Sequence, residues 1–402
     1  GKGYVSTILV QHGTLKIGDY MLAGKHHGKI KAMHDERGNI VTIAGPSTPV
    51  SVLGLDGAPT AGDKFNIFED EKNILWLDAE NPDIPELFKN ATNTRLTRQF
   101  SNYKIVIIDE AQKIENIGSV LKLFTDYLKN TQVIATGSSS FEIKNKTNEP
   151  LTGRKWEYHL FPLSFSEMVE HTNVIEEKRL LTHRLIYGYY PEIVVHDDDL
   201  ALRLKTLSES YLYKDILMWQ DIKKPDKLVQ LLKALAMQIG SEVNYHELGN
   251  IVGLKNDTVE KYIQLLEQTF VIFRLPAYST NQRKELKKGK KIYFFDNGIR
   301  NAILGDFKLF ETRQDKGALF ENFVISELYK KHSYEGKTFQ CYFWRTADQQ
   351  EIDLIIEKEG ILNAYEIKWN PGSKAKLSKT FSKVYPNHTF QVINAENIVD
   401  FM

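Results

Sequence analysis

A single cysteine, Cys341, stands in 402 residues. That excludes an internal disulfide and leaves no thiolate set for zinc, so Cys341 reads as a small packing group. An excess of one charge is also lacking. The 52 basic side chains face 52 acidic ones, so no long-range field draws the whole chain to nucleic acid or membrane, and any basic surface must be local. No apolar run approaches the ~20 residues of a membrane-spanning helix, and no charged start leads into a signal-like stretch. The expectation is a cytoplasmic chain with no membrane partner. The chain opens on Gly1 rather than Met, as a piece of a longer product would. Its 42% hydrophobic content over this length suits two to four compact domains.

From Tyr4 to Phe68, short β-branched runs alternate with turn signals at His12-Gly13, Gly18-Asp19, Glu36-Arg37-Gly38-Asn39 and Ala61-Gly62-Asp63. Strands this short with turns this frequent predict a small all-β barrel. Three stretches are distinctive: Gly13-Thr14-Leu15-Lys16-Ile17-Gly18-Asp19, Lys31-Ala32-Met33 with Asp35-Glu36-Arg37-Gly38, and Ala44-Gly45-Pro46-Ser47-Thr48-Pro49-Val50. With them, residues 1–72 resemble the β-barrel (domain II) of bacterial translation initiation factor two. The resemblance implies a ribosome-contacting module whose GTPase domain lies elsewhere, so GTP binding is not expected of it.

The character changes after Lys72. Asn73-Ile74-Leu75-Trp76-Leu77-Asp78 reads as a short buried strand. Lys104-Ile105-Val106-Ile107-Ile108-Asp109-Glu110 reads as a second, ending in two carboxylates where parallel sheets bind ligands. This is a Walker B pattern, in which Asp109 would hold Mg²⁺ and Glu110 would orient the water attacking a γ-phosphate; the alternative is a strand followed by an acidic helix cap. Ser138, after the strand Gln132-Val133-Ile134-Ala135, offers a polar sensor or a cap. Arg154, in Leu151-Thr152-Gly153-Arg154, offers charge to a transferring phosphoryl group or a plain ion pair. With Phe161-Pro162-Leu163-Ser164-Phe165, the order of these motifs resembles a bacterial AAA-type (archaeal-type) ATPase across residues 73–402.

The phosphate-binding loop of that class is missing. Gly-x-x-x-x-Gly-Lys-Ser/Thr occurs nowhere, and at Gly336-Lys337-Thr338 the position five before Gly336 is Lys331. ATP use is therefore not expected. Loss of the first strand also removes part of the sheet unless a barrel strand replaces it.

Helical periodicity from Glu167 to about Trp219, with Leu180, Leu181, Leu185 and Ile186, fits the lid helices implied by the resemblance. Leu231 to Leu275 reads as a winged helix. Its first short helix begins at Tyr245, its turn lies at Gly253-Leu254, Asn256 or Asp257 caps a helix from Thr258 to Gln268, and a strand runs from Phe270. Arg283, Lys284, Lys287, Lys288, Lys290 and Lys291 then form a basic hairpin that would clamp a DNA backbone or simply remain solvated.

The last hundred residues hold Glu321 on a helix from Gly317 to Lys330. A strand Glu351 to Ile356, a turn Glu357 to Gly360 and a second strand ending Glu366-Ile367-Lys368-Trp369 follow. Strand alternation places Glu366 and Lys368 on one side, with Asp353 across the hairpin. This resembles a restriction-endonuclease-like core. The resemblance implies that Asp353 and Glu366 bind Mg²⁺, Glu321 is the helix-borne acid, and Lys368 assists the attacking water. Such cores also serve as binding scaffolds. Lys374, Lys376, Lys379 and Lys383 would meet phosphates or solvent.

The expected architecture is multidomain. It comprises a barrel (1–72), a truncated α/β P-loop-NTPase-like parallel sheet (73–165), a helical lid (166–227), a winged helix (228–305) and an α/β restriction-endonuclease-like domain (306–402). The expected function is that of an AAA-family, DNA-associated protein with a disabled nucleotide site. The alternatives are a metal-dependent nuclease and a ribosome-binding fusion without catalysis.

Overall fold

The computed structural model describes residues 5–10, 13–23, 26–35, 37–55, 59, 65–68, 73–137, 151, 153–211, 222, 224–279, 289–336, 338–346, 348–373 and 375–402. The chain divides into two compact units, residues 1–137 with 142–155 and residues 138–141 with 156–402.

The first unit begins with strands β1 (Val5–Val10), β2 (Leu15–Lys16), β3 (Tyr20–Ala23), β4 (His26–Lys29), β5 (Ala32–His34), β6 (Ile43–Ala44), β7 (Thr48–Leu53) and β8 (Phe65–Phe68). They form three small sheets ordered β1-β7-β5, β2-β6 and β4-β3-β8, with every pair antiparallel. Period-2 alternation turns Val50 and Val52 of β7 inward, where they join Val10, Leu15, Met21, Ile30 and Met33 in one core.

A parallel sheet follows, built from β9 (Ile74–Asp78), β10 (Ile105–Asp109) and β11 (Gln132–Ala135), with helices α1 (Asp83–Phe88), α2 (Asn93–Phe100) and α3 (Ile117–Tyr127) as crossovers. Its order is β11-β10-β9, so the β-branched β10 is central and buries Val106 and Ile108. Thr92 caps α2 by accepting the Arg95 N–H, and Phe100 of α2 packs against Phe88 at 5.7 Å and Phe124 at 5.3 Å between ring centres. Among the described residues no barrel strand joins this sheet.

The second unit starts with helices α4 (Phe165–His171), α5 (Val174–Arg179), α6 (Leu181–Tyr187), α7 (Pro191–Val194) and α8 (Leu200–Tyr211). Next come α9 (Pro225–Met237), β12 (Glu242–Val243), α10 (Tyr245–Val252), α11 (Asn256–Gln268), β13 (Ile272–Pro276) and β14 (Lys290–Phe294), with an antiparallel sheet ordered β12-β14-β13. Asn244 caps α10 through the N–H groups of His246 and Glu247, and Gly253 ends it at φ +70°. Two boundaries differ from the sequence reading. Helix α11 already contains Asn256 and Asp257, with Lys255 at its cap position and no capping side chain. Strand β13 starts at Ile272 because Phe270 takes φ +56°.

The chain ends with α12 (Asn297–Leu304), α13 (Lys316–Tyr334), β15 (Gln340–Arg345), β16 (Glu351–Lys358), β17 (Ile361–Ile367), α14 (Lys379–Val384) and β18 (His388–Ile393). The sheet order is β15-β16-β17-β18, with only β17–β18 parallel. The expected four-residue turn contracts to Glu359-Gly360, both at positive φ, since β16 continues to Lys358. Such a two-residue turn matches the twist of its strands. Helix α13 buries Phe320, Phe323, Val324 and Leu328 in a core shared with Phe273 and Tyr293 of one sheet and Leu354 and Ile356 of the other. The Tyr278 N–H also donates to the Phe343 carbonyl at 2.7 Å, tying the segment after β13 to β15. No helix among the described residues is long and apolar enough to cross a membrane.

Candidate functional site

Four elements of the second unit bring charged groups to one place. Helix α13 carries Glu321, and alternation along β16 puts Glu351 and Asp353 on one face. Lys368 follows the end of β17, two residues after Glu366, and β14 supplies Lys291 and Tyr293. The Lys368 ammonium lies 2.7 Å from Glu366 Oε1 and 3.5 Å from Asp353 Oδ2. Lys291 lies 2.5 Å from Glu351 Oε1 and 3.5 Å from Glu321 Oε1. The Tyr293 hydroxyl donates to Glu321 Oε1 at 2.6 Å. The β16–β17 ladder stops at Leu354 opposite Tyr365, one pair short of Asp353 and Glu366. There the Ile367 N–H donates instead to Asp353 Oδ2 at 2.8 Å. A cavity of about 340 Å³ adjoins the cluster, lined by Glu321, Lys368, Trp369, Gly240 and Ser241 among others.

Glu321, Asp353, Glu366 and Lys368 thus come together, and the structure adds Lys291, Tyr293 and Glu351. Period-2 spacing already linked Glu351 to Asp353 and Lys291 to Tyr293. Nothing local linked the two pairs. Among the described residues, no set of three or more His, Cys, Asp or Glu is placed to hold a metal ion; each of the four carboxylates lies beside a lysine ammonium.

Burial pushes the Glu321 carboxyl up to about 7; Asp353 and Glu351 add to that push, while Lys291 and Tyr293 oppose it. Glu366 also rises, from burial first and Asp353 second. Burial alone would lower Lys291, but Glu321, Glu351 and Asp353 outweigh it and hold the ammonium above its ordinary value. An acid poised near neutrality beside fixed ammonium groups is suited to proton transfer.

The two carboxylates of the Walker B-like pattern lie in the first unit. Asp109 ends β10 opposite Asp78 of β9. It accepts the Glu110 N–H at 3.2 Å and the Thr136 hydroxyl. Glu110 adopts the left-handed conformation, φ +49° and ψ +39°. Ser138 lies outside the described residues, and Thr136 is the hydroxyl that meets Asp109. Arg154 donates through Nη1 to Asp126 Oδ1 and Oδ2 at 2.8 and 3.0 Å, a partly exposed ion pair. Ala79-Glu80-Asn81-Pro82 joins β9 to α1 without glycine or lysine. Asp78 and Asn81 there accept the N–H groups of Glu80 and Asp83.

Arg283, Lys284, Lys287 and Lys288 lie outside the described residues. Lys290 sits 5.7 Å from the Tyr245 ring centre and 3.9 Å from Glu260. Lys291, whose side chain is 4% exposed, belongs to the carboxylate cluster and not to a phosphate-facing surface. Lys374 is outside the described residues, whereas Lys376, Lys379 and Lys383 are exposed. Burial pushes the free Cys341 thiol up to about 12, as suits a packing group.

The parallel sheet with Asp109-Glu110 at its C-terminal end defines an ATPase-like domain behind a β-rich region, and comparison with known proteins agrees. Residues 1–68 match elongation factor G domain 2 and residues 61–169 match an AAA domain. Residues 178–309 and 316–401 match two domains of unknown function, DUF8612 and DUF4143.

Translation initiation factor IF-2 of Flavobacterium johnsoniae is 90% identical over 77 residues, 19% of this chain and 8% of that protein. IF-2 of Flavobacterium psychrophilum is 78% identical over 84 residues, 21% of this chain and 9% of that protein. The chain spans less than a tenth of these relatives' length. Among solved structures, Can2 from Sulfobacillus thermosulfidooxidans in complex with cyclic tetra-adenylate is 10% identical with a TM-score of 0.14, covering 82% of this chain and 97% of that one. Protein VC1899 from Vibrio cholerae is 11% identical with a TM-score of 0.15, covering 82% and 96%.

Proposed function

We propose that this AAA-family ATPase-like chain no longer uses nucleotide, and that its working chemistry is metal-dependent hydrolysis of DNA phosphodiesters in the C-terminal module. The convergence of Glu321, Asp353, Glu366 and Lys368 carries this reading. Among the described residues, Glu321, Asp353 and Glu366 each keep one carboxylate oxygen without a protein donor, and an all-oxygen donor set suits Mg²⁺. Asp353 and Glu366 would hold the ion, with Glu321 beside them. When bound, it would supply an acidified water and charge to stabilise the transition state. Lys368 orients Glu366 and offers positive charge to the phosphate, and Glu321 exchanges a proton near neutral pH.

Helices α9 to α11 with the sheet β12-β14-β13 support a winged-helix reading, which would place duplex DNA against this unit. Lys376, Lys379 and Lys383 are available for its backbone. The absence of Gly-x-x-x-x-Gly-Lys-Ser/Thr from the sequence supports loss of nucleotide use. Each missing charge-assisted hydrogen bond removes roughly 1.5–3 kcal/mol, and tenfold in affinity follows each ~1.4 kcal/mol.

The test is cleavage of a labelled duplex with Mg²⁺ or Mn²⁺. Cleavage is expected to vanish in Asp353→Ala and to fall at least about a hundredfold in Lys368→Ala. Cleavage that persists in Lys368→Ala, or that needs no divalent ion, would sink the reading. The initiation-factor-like region favours a second one, ribosome contact without catalysis. Co-sedimentation of the full chain with ribosomal subunits, lost when residues 1–72 are deleted, would support it.

A further inference from the structure

Lys291 reaches the carboxylate cluster from a different sheet. Strand β14 is central in its sheet, with Lys291 paired across the backbone to Glu242 of β12 and Leu275 of β13. A strand held on both sides delivers the ammonium on a rigid support. Its side chain is 4% exposed, and its ammonium lies 5.5 Å from the Phe343 ring centre. It ends between Glu351 and Glu321, while Arg345 Nε lies 3.9 Å from the other Glu351 oxygen. Around the proposed cation position, four carboxyl groups therefore face two ammonium groups, Lys291 and Lys368.

We infer that Lys291 is a resident counter-ion that sets how tightly the cluster takes a divalent cation. This rests on the proposed hydrolytic site. The ammonium stands where positive charge is most favoured, against Glu351 and Glu321. An entering ion meets a like charge or must displace it, and both weaken binding. Lys291 acts through the carboxylates it touches, as a positioning residue. A change in β14 that withdrew it would free Glu321 and Glu351 together.

The experiment is calorimetric titration of the full chain with Mn²⁺, without nucleic acid. Lys291→Met removes the charge and keeps the stem. Lys291→Gln also keeps a donor for Glu351. Both should bind Mn²⁺ at least about tenfold more tightly than the unaltered chain, and Lys291→Arg should stay within about threefold of it. Adding Asp353→Asn to either neutral variant should abolish the gain. Unchanged or weaker binding in a folded neutral variant would overturn the inference. If both neutral variants unfold without metal, refolding on Mn²⁺ addition supports it and failure to refold overturns it.

Outcomes for the two readings separate. Tighter Mn²⁺ binding with no DNA cleavage removes hydrolysis alone. Metal-dependent cleavage with unchanged affinity in Lys291→Met removes the counter-ion role alone. Absence of Mn²⁺ binding from every variant removes both.

Discussion

Replacing Lys330 by methionine tests how the second unit is held together. Lys330 lies on α13 with its side chain 1% exposed. Its ammonium donates to Glu327 Oε1 at 2.8 Å and to the Leu163 carbonyl at 3.1 Å. Glu327 Oε2 accepts the Phe165 N–H at 2.7 Å. One buried ion pair thus fastens both ends of Leu163-Ser164-Phe165 to α13, while Ser164 and Glu167 form a reciprocal cap on α4. Methionine fills the space but leaves a buried carboxylate without its cation, an expected loss of about 3–5 kcal/mol.

The pH dependence of that loss has a definite sign. Burial raises the Glu327 carboxyl even with Lys330 present, and removing Lys330 raises it further. A carboxyl raised on folding contributes stability below its unfolded value, and that contribution is lost as pH rises through the folded one. The deficit of Lys330→Met should therefore be largest at alkaline pH, where Glu327 is ionised, and shrink as pH falls and Glu327 takes a proton. Guanidinium unfolding of both proteins, followed by near-ultraviolet circular dichroism at several pH values, reads it. Glu327→Gln in the Lys330→Met background should recover much of the loss. A deficit below about 1 kcal/mol, or one independent of pH, would refute the reasoning.

Two further outcomes are expected. Gly188 sits at φ +73°, and a Cβ there would stand 2.2 Å from Asp296 Oδ1, a carboxylate that also receives the Tyr189 and Ile299 N–H groups. Gly188→Ala should cost at least about 2 kcal/mol and lower the midpoint of thermal unfolding, and an unchanged midpoint would contradict the clash. In the first unit, a fluorescent ATP analogue with Mg²⁺ should show no micromolar binding. Micromolar binding abolished by Asp109→Ala would overturn the loss of nucleotide use.

What was legible in the sequence was local. Strand β10 announces itself through four β-branched residues before two carboxylates, and Glu366 and Lys368 share a face because a strand repeats every two residues. Asp353 joins them through a hairpin of short loop, so its approach needed little more than register. Lys291 could not be found in this way. It follows Lys287, Lys288 and Lys290, and in isolation such a run reads as solvated. It is buried because α13 and the C-terminal sheet cover β14, and those elements lie tens of residues downstream. Arg154 was ambiguous for the same reason: its partner Asp126 sits 28 positions earlier, on a helix whose placement depends on the sheet.

The candidate site therefore does not coincide with any one segment of the chain. Glu321, Glu351, Asp353, Glu366 and Lys368 fall after residue 315, but Lys291 and Tyr293 come from the helical and sheet segment before residue 310. A carboxylate set of this kind, taken without β14, would lose the cation on Glu351 and the hydroxyl on Glu321 together. Its charge, the proton affinity of Glu321 and its appetite for a divalent ion would all change with no substitution in the carboxylates themselves. Whatever governs the seating of β14 against α13 thus governs the chemistry at Asp353 and Glu366, and that dependence is tertiary in origin, beyond the reach of motif spacing.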